Sequence, residues 1–229
     1  IYSKIIRIAA PELIINSSIQ SSFLDFLISS KLTINNKIEC KKSIVIRAND
    51  LSIQSTIKTD ELLIVSSTTT FSKVSSLETS NLCAIFANNS IDCESYKMKL
   101  SKNTFFKSRN INFHSKRQTS NFEVKTLNQD ENKNDDDDDN EEDEEENDES
   151  IPNNCFIQGE IVNIGPNFNI KTEENFSIEC SYLEISNRKT SIDIGEKLYL
   201  LFVTNKTNKE TSINNGVIKC SDLFFEADS

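Results

Sequence analysis

The chain has 229 residues, of which 27% are charged and 36% hydrophobic, with 4 Gly, 3 Pro and no Trp. That length supports one or two domains with a real core, and the composition excludes collagen-like, mucin-like and disulfide-dense secreted classes. No apolar run approaches the roughly 18 to 20 residues of a membrane-spanning helix, and residues 1–10 lack the apolar stretch expected of a signal peptide. The chain begins at Ile1 rather than Met, as a processed product or a piece of a longer chain would.

The net charge of -11 is unevenly spread. Residues 130–149 contain 15 acids and one base, Lys133, whereas residues 1–129 contain 17 bases and 10 acids. Residues 150–229 hold 7 bases and 11 acids, so a mildly basic body is followed by a strongly acidic insert. Like charges at this density repel and bury no apolar area, so residues 129–150 are expected to form a disordered, extruded loop.

In chain order, the first apolar phrase is Ile6, Ile8, Ala10, Leu13, Ile15, in which alternation meets a small residue, skips two positions and resumes. A looser copy follows at Leu27, Ser29, Leu32, Ile34, and a strict one at Ile44, Ile46, Ala48, Leu51, Ile53. Three more loose copies run through Ile64 to Phe71, Phe86 to Cys93, and Phe106 to Phe113. Beyond the acidic insert come Cys155, Ile157, Gly159, Val162, Ile164 and then Phe176, Ile178, Cys180, Leu183, Ile185. A degenerate copy near Ile194 to Leu200 precedes the last, Ile218, Cys220, Leu223, Phe225. Small or Asn positions recur 18 to 22 residues apart, except where the acidic insert and the degenerate copy intervene.

Alternation means strands with one buried face. Two short strands meeting at a small residue mean a bend with a crowded inside corner. A period near 20 residues is one coil of an all-β parallel β-helix (β-solenoid), whose coils stack about 4.8 Å apart to make a continuous core. Scarce Gly and Pro disfavour a hairpin-rich sandwich, and Ile, Ser, Thr and Asn without a 3.6 period disfavour helix. Residues 1–128 and 151–229 are then two blocks of coils around the insert, with Ile8, Ile46, Leu51, Ile157, Ile178, Leu183 and Ile218 buried. The rival layout makes 151–229 a separate, OB-like β domain with strands near Glu160, Phe168, Ile178, Leu200 and Ile218.

The phrases Ile-Val-Ile-Arg-Ala-Asn-Asp-Leu-Ser-Ile (44 to 53) and Phe-Ser-Ile-Glu-Cys-Ser-Tyr-Leu-Glu-Ile (176 to 185) resemble coils of bactofilins, which are bacterial polymerising scaffolds, and of haemagglutinin-repeat adhesins. The resemblance is one of periodicity. It implies architecture and transfers no functional residues.

Catalytic signatures are missing: the chain has no G-x-S-x-G, P-loop, G-x-G-x-x-G or His-Glu-x-x-His. His114 is the only histidine, and the six cysteines show no zinc-ligand spacing. No catalytic residue, cofactor or metal is therefore assigned. Asp25, Asp50, Asp92 and Asp222 fall near repeat corners and read as solvated turn residues. Residues 96–122 carry Lys97, Lys99, Lys102, Lys107, Arg109, Lys116 and Arg117 without an acid, interleaved with Phe105, Phe106, Phe113 and Phe122. Bases on phosphates and aromatics on nucleobases would suit that composition. Equally, Phe106 and Phe113 fall at inward repeat positions, which leaves the bases as a solvated face.

Cys180 and Cys220 are expected at equivalent corners two coils, or about 9 to 10 Å, apart. That exceeds the roughly 7 Å a disulfide tolerates, so both are expected as free thiols, which favours an intracellular location. The leading expectation for function is a non-enzymatic structural or assembly module, binding protein partners or itself through the solenoid ends. A nucleic-acid-binding module using the basic stretch is second, and a polysaccharide-active β-helix third.

Overall fold

Alternating side chains survive as strands throughout, and in the computed structural model each repeat is a bent strand lying parallel on the next. The structure describes residues 1–94, 97–101, 103–115, 120–124, 154–186, 189–203, 212–214 and 216–227. The acidic insert therefore lies outside the described residues, as do Lys102, Lys116 and Arg117. The strands are β1 (Tyr2–Ile15), β2 (Ile19–Ile34), β3 (Ile38–Ile53), β4 (Thr56–Phe71), β5 (Ser76–Cys93), β6 (Lys97–Leu100), β7 (Asn103–Phe113) and β8 (Ser120–Val124). They continue as β9 (Asn154–Ile164), β10 (Phe168–Thr172), β11 (Asn175–Ser186), β12 (Ser191–Ile194), β13 (Lys197–Phe202), β14 (Ser212–Asn214), β15 (Val217–Lys219) and β16 (Asp222–Ala227).

Every ladder between them is parallel, and all the strands join one sheet. This is a parallel β-solenoid with coils about 21 residues apart. The second block continues the first without a break in pairing: β9 pairs with β7 before the insert and with β11 after it. An OB-like barrel does not form among the described residues.

Each coil has three straight segments. Register shifts mark the first corner between Glu39 and Ser43 and the second between Ile28 and Lys31. The third corner is the break between consecutive long strands, such as β3 and β4. Three phenylalanines from the three segments of one coil show how the interior closes. Phe106 lies 5.8 Å from Phe113 and 5.7 Å from Phe122, and Phe113 and Phe122 are 5.7 Å apart, centroid to centroid. All three are fully buried.

The repeat phrase maps onto columns. One inward column runs Ile8, Phe26, Ile46, Ile64, Ile85, Phe106, Ile157, Ile178, Leu200, Phe225. The second-corner column runs Ala10, Ile28, Ala48, Ser66, Ala87, Ser108, Gly159, Cys180, Phe202. Small residues suit it because the chain folds back on itself there. A Cβ on Gly159 would already stand 3.1 Å from the Ser108 carbonyl and 3.2 Å from a Val162 methyl.

Ile46, Leu51, Ile157, Ile178 and Leu183 are buried as expected, whereas Ile8 and Ile218 are half-buried because no described coil covers them on one side. Two loose copies need a one-residue correction. Phe26 and Ile28 point inward and Leu27 outward, and likewise Ile85 and Ala87 point inward and Phe86 outward. An extra residue sits at the second corner of each coil, between Ile28 and Lys31 and between Ala87 and Ser90. With a side-chain period of two, one added residue moves the preceding segment to the opposite face.

Cys220 is also reassigned. The ladder partner of Cys180 is Phe202, and that of Phe202 is Ala227. Cys220 follows β15, whose Ile218 pairs with Ile192 of β12 on the first segment. Cys180 and Cys220 thus occupy different corners, and all six cysteines are unpaired.

The turn after β9 depends on Gly165. Its φ is +139°, and a Cβ there would stand 2.2 Å from the Ser186 carbonyl oxygen in the next coil. Its amide donates to the Phe113 carbonyl at 2.8 Å, so it cannot retreat without breaking the stack. Gly165→Ala should lower unfolding free energy by about 2 to 3 kcal/mol through φ strain and the backbone clash. Urea denaturation checks this; a loss under about 0.5 kcal/mol would mean the turn relaxes freely.

Candidate functional site

Three outward faces follow from the three segments, and their chemistry differs. On the first face the register places Glu39, Lys58, Glu78, Lys99, Glu123, Lys171, Asp193 and Lys219 in one column, alternating in sign at every step. Lys58 pairs with Glu78 at 3.5 Å. The Lys37 ammonium and then the Gln20 amide, both donating to Glu39, hold its carboxyl below the usual range. Exposed pairs of this kind contribute little stability each. Their strict alternation specifies register, because a slip by one coil sets like charges opposite each other.

The third face is polar and internally bonded. Thr33, Ser52, Thr70, Asp92, Asn112 and Asn163 share an outward column. Within it Asn112 Nδ2 donates to Asp92 Oδ1 and Asn163 Nδ2 donates to Asn112 Oδ1, both at 2.7 Å. Asp50, at the second corner, accepts from Thr68 Oγ1 at 2.6 Å. Asp25 instead lies on the second face and pairs with Arg47 at 3.2 Å.

That second face is the exception. Its central outward column reads Arg7, Asp25, Val45, Leu63, Ala84, Phe105, Phe156, Ser177, Tyr199, Phe224. Beside it run Leu27, Arg47, Val65, Phe86, Lys107, Gln158, Glu179 and Leu201. Leu27 is 57% exposed, Val65 44% and Phe86 38%. An all-parallel sheet is usually covered on both faces, and contiguous exposed apolar surface marks an interaction site. The alternation that identified the core also carried this stripe, in the apolar residues at odd phase: Val45 between Ile44 and Ile46, Leu63 between Leu62 and Ile64, Phe105 before Phe106.

The basic stretch is divided by this geometry. Lys97 and Lys99 stand on the first face, Lys99 between Glu78 and Glu123 in the charge column. Lys107 is exposed on the second face, and Arg109, at its margin, pairs with Glu160 at 2.9 Å. Phe106, Phe113 and Phe122 fill the core, so of the four interleaved aromatics only Phe105 faces outward. His114 lies 3.8 Å from Glu94. No group of three or more His, Cys, Asp or Glu among the described residues is placed to hold a metal.

A groove of about 1180 Å³ follows the first corner, walled by Gln20, Glu39, Lys58, Glu78 and Lys99 over a floor of Ser21, Cys40, Thr59 and Thr79. Its floor hydroxyls are used to stitch the corner: Ser21 Oγ donates to the Phe23 carbonyl at 2.6 Å and Thr59 Oγ1 to that of Glu61 at 3.1 Å. Thr79 bonds the Cys83 thiol. The groove is a recess of the fold rather than a set of waiting donors.

Comparison with protein-family models, curated proteins and solved structures finds no match to this chain. The likeness to bactofilin and haemagglutinin-repeat coils is thus one of solenoid architecture. No described helix is long and apolar enough to cross a membrane.

Proposed function

We propose that the chain is a non-enzymatic structural module, a scaffold or a subunit of a larger assembly, in the sense in which bactofilin-like coils scaffold. The observation that carries this reading is the apolar central column of the second face, on a rod whose other two faces carry polar and charged columns. One of those faces carries an alternating charge ladder and another the Asp92–Asn112–Asn163 amide ladder. The free energy of further contact lies in the uncovered apolar column from Val45 to Phe224 and the exposed Leu27, Val65 and Phe86 beside it. Six unpaired cysteines, five of them buried, suit a reducing compartment.

The test is the native size of the protein in an extract of its source. An assembly well above the chain's 26.0 kDa, unchanged by nuclease, is expected. A 26.0 kDa monomer that binds RNA or DNA and loses this with Lys107→Glu and Arg109→Glu would overturn the reading. Such binding would also fall steeply between about 50 and 200 mM salt as counterions are released.

A further inference from the structure

We infer that the second face is the interface between two copies of this chain, packed face to face and antiparallel about a two-fold axis. The inference rests on the assembly reading and names its partner. A two-fold axis lying across the face reverses the order of coils but keeps each column against itself, so each column must complement its own reverse. These columns do.

The axis falls between the coils of Phe105 and Phe156, which are adjacent in the central column. Counting outward by equal steps, Phe105 meets Phe156, Leu63 meets Tyr199 and Val45 meets Phe224. The one place where the column narrows also matches, since Ala84 meets Ser177. The flanking columns carry charge, and the same axis pairs it. Arg47 falls opposite Glu226 in one column, while Glu61 falls opposite Lys197 in the other. Each of these two pairs sets a base of one copy against an acid of the other, as an antiparallel two-fold needs.

The size is also adequate. Eight coils at about 4.8 Å, with five residues of about 3.3 Å each across the face, give on the order of 600 Å² per copy. The total of about 1,200 Å² reaches the lower end of specific, stable interfaces.

Sedimentation equilibrium of the purified chain tests this. Twice the 26.0 kDa chain mass is expected at about 100 µM, a hundredfold above a micromolar dissociation constant. Phe105→Glu, on the outer face and therefore compatible with folding, should weaken association by at least about thirtyfold. Ser52→Glu on the third face should not change it. Glu61→Lys and Lys197→Glu should each weaken it by about five- to tenfold, and the double variant should restore it. Rescue requires Glu61 of one copy to face Lys197 of the other, so dimerisation without rescue overturns the antiparallel pairing. A monomer at every concentration overturns the inference altogether. If that monomer still sits in a large native assembly, only the identity of the partner falls and the scaffold reading stands.

Discussion

Phe106→Ala should lower the unfolding free energy by about 3 to 5 kcal/mol, the range for truncating a fully buried aromatic ring that leaves a cavity. Phe106 is the member of the second segment in a three-ring centre, 5.8 and 5.7 Å from Phe113 and Phe122. Neither neighbour can close the gap, because each is fixed by its own ladder to the coils above and below. With a urea m-value near 2 to 3 kcal/mol/M, the midpoint should move down by about 1 to 2 M. Phe105→Ala, one residue away but outward, should cost under about 1 kcal/mol in the isolated chain. The paired comparison reads the strand register directly. If Phe105 proved the costly residue, the whole segment would be turned over and the outer face described above would be the core.

This contrast also shows what the residues alone could reveal. The period-two phrase with a small residue at its bend identified the solenoid, since strict copies such as Ile44 to Ile53 leave few other ways to bury their apolar face. In two loose copies the inward phase lies one residue away from the phrase. Leu27 and Phe86 are as apolar as the inward Phe26 and Ile85, and composition cannot say which phase faces in when both are greasy. The register was decided by an extra corner residue in each of those coils, which only the stacking reveals. Cys220 lies away from the corner of Cys180 for a related reason. The last coils are longer, pairing Leu198 with Leu223 at 25 residues' separation, so a period near 20 no longer locates a position.

The candidate site was hidden by the same ambiguity. Apolar residues at odd phase look like noise in a core pattern until columns are aligned across coils. Lys97 to Arg117 looked like a patch in the chain because it is contiguous there. In space its described members divide between two faces, with Lys99 and Arg109 already set against acids. The alternating charge column from Glu39 to Lys219 was likewise legible only in register. Its members are 19 to 48 residues apart along the chain, with the longest step spanning the acidic insert.

Raising the pH above 9 should unfold the chain, and the buried thiols supply much of the cause. Burial holds the Cys83 thiol at about 12, against an ordinary value of 9.0, with the Thr79 hydrogen bond opposing it. Burial also pushes Cys93 and Cys155 well up, with the adjacent Asp92 charge adding to it at Cys93, and burial followed by the Glu179 charge takes Cys180 to about 12. A thiol whose folded value is raised contributes stability that is complete below the unfolded value. That stability is lost as pH climbs from 9 towards 12, because the unfolded chain can release the proton and the folded one cannot. Each pH unit in that window costs about 1.4 kcal/mol per thiol, so Cys83 alone removes about 3 kcal/mol by pH 11, a large share of a typical net stability of 5 to 15 kcal/mol. The melting temperature, measured at pH 8, 9, 10 and 11, should fall progressively above pH 9. Cys83→Ala should start lower at pH 8, from the lost packing, and then fall less steeply, so the two curves converge. Lysines titrate in the same range, but they are common to both proteins and drop out of the difference in slope. Parallel curves would show that Cys83 stays protonated without cost in the unfolded chain, or is not buried in the folded one.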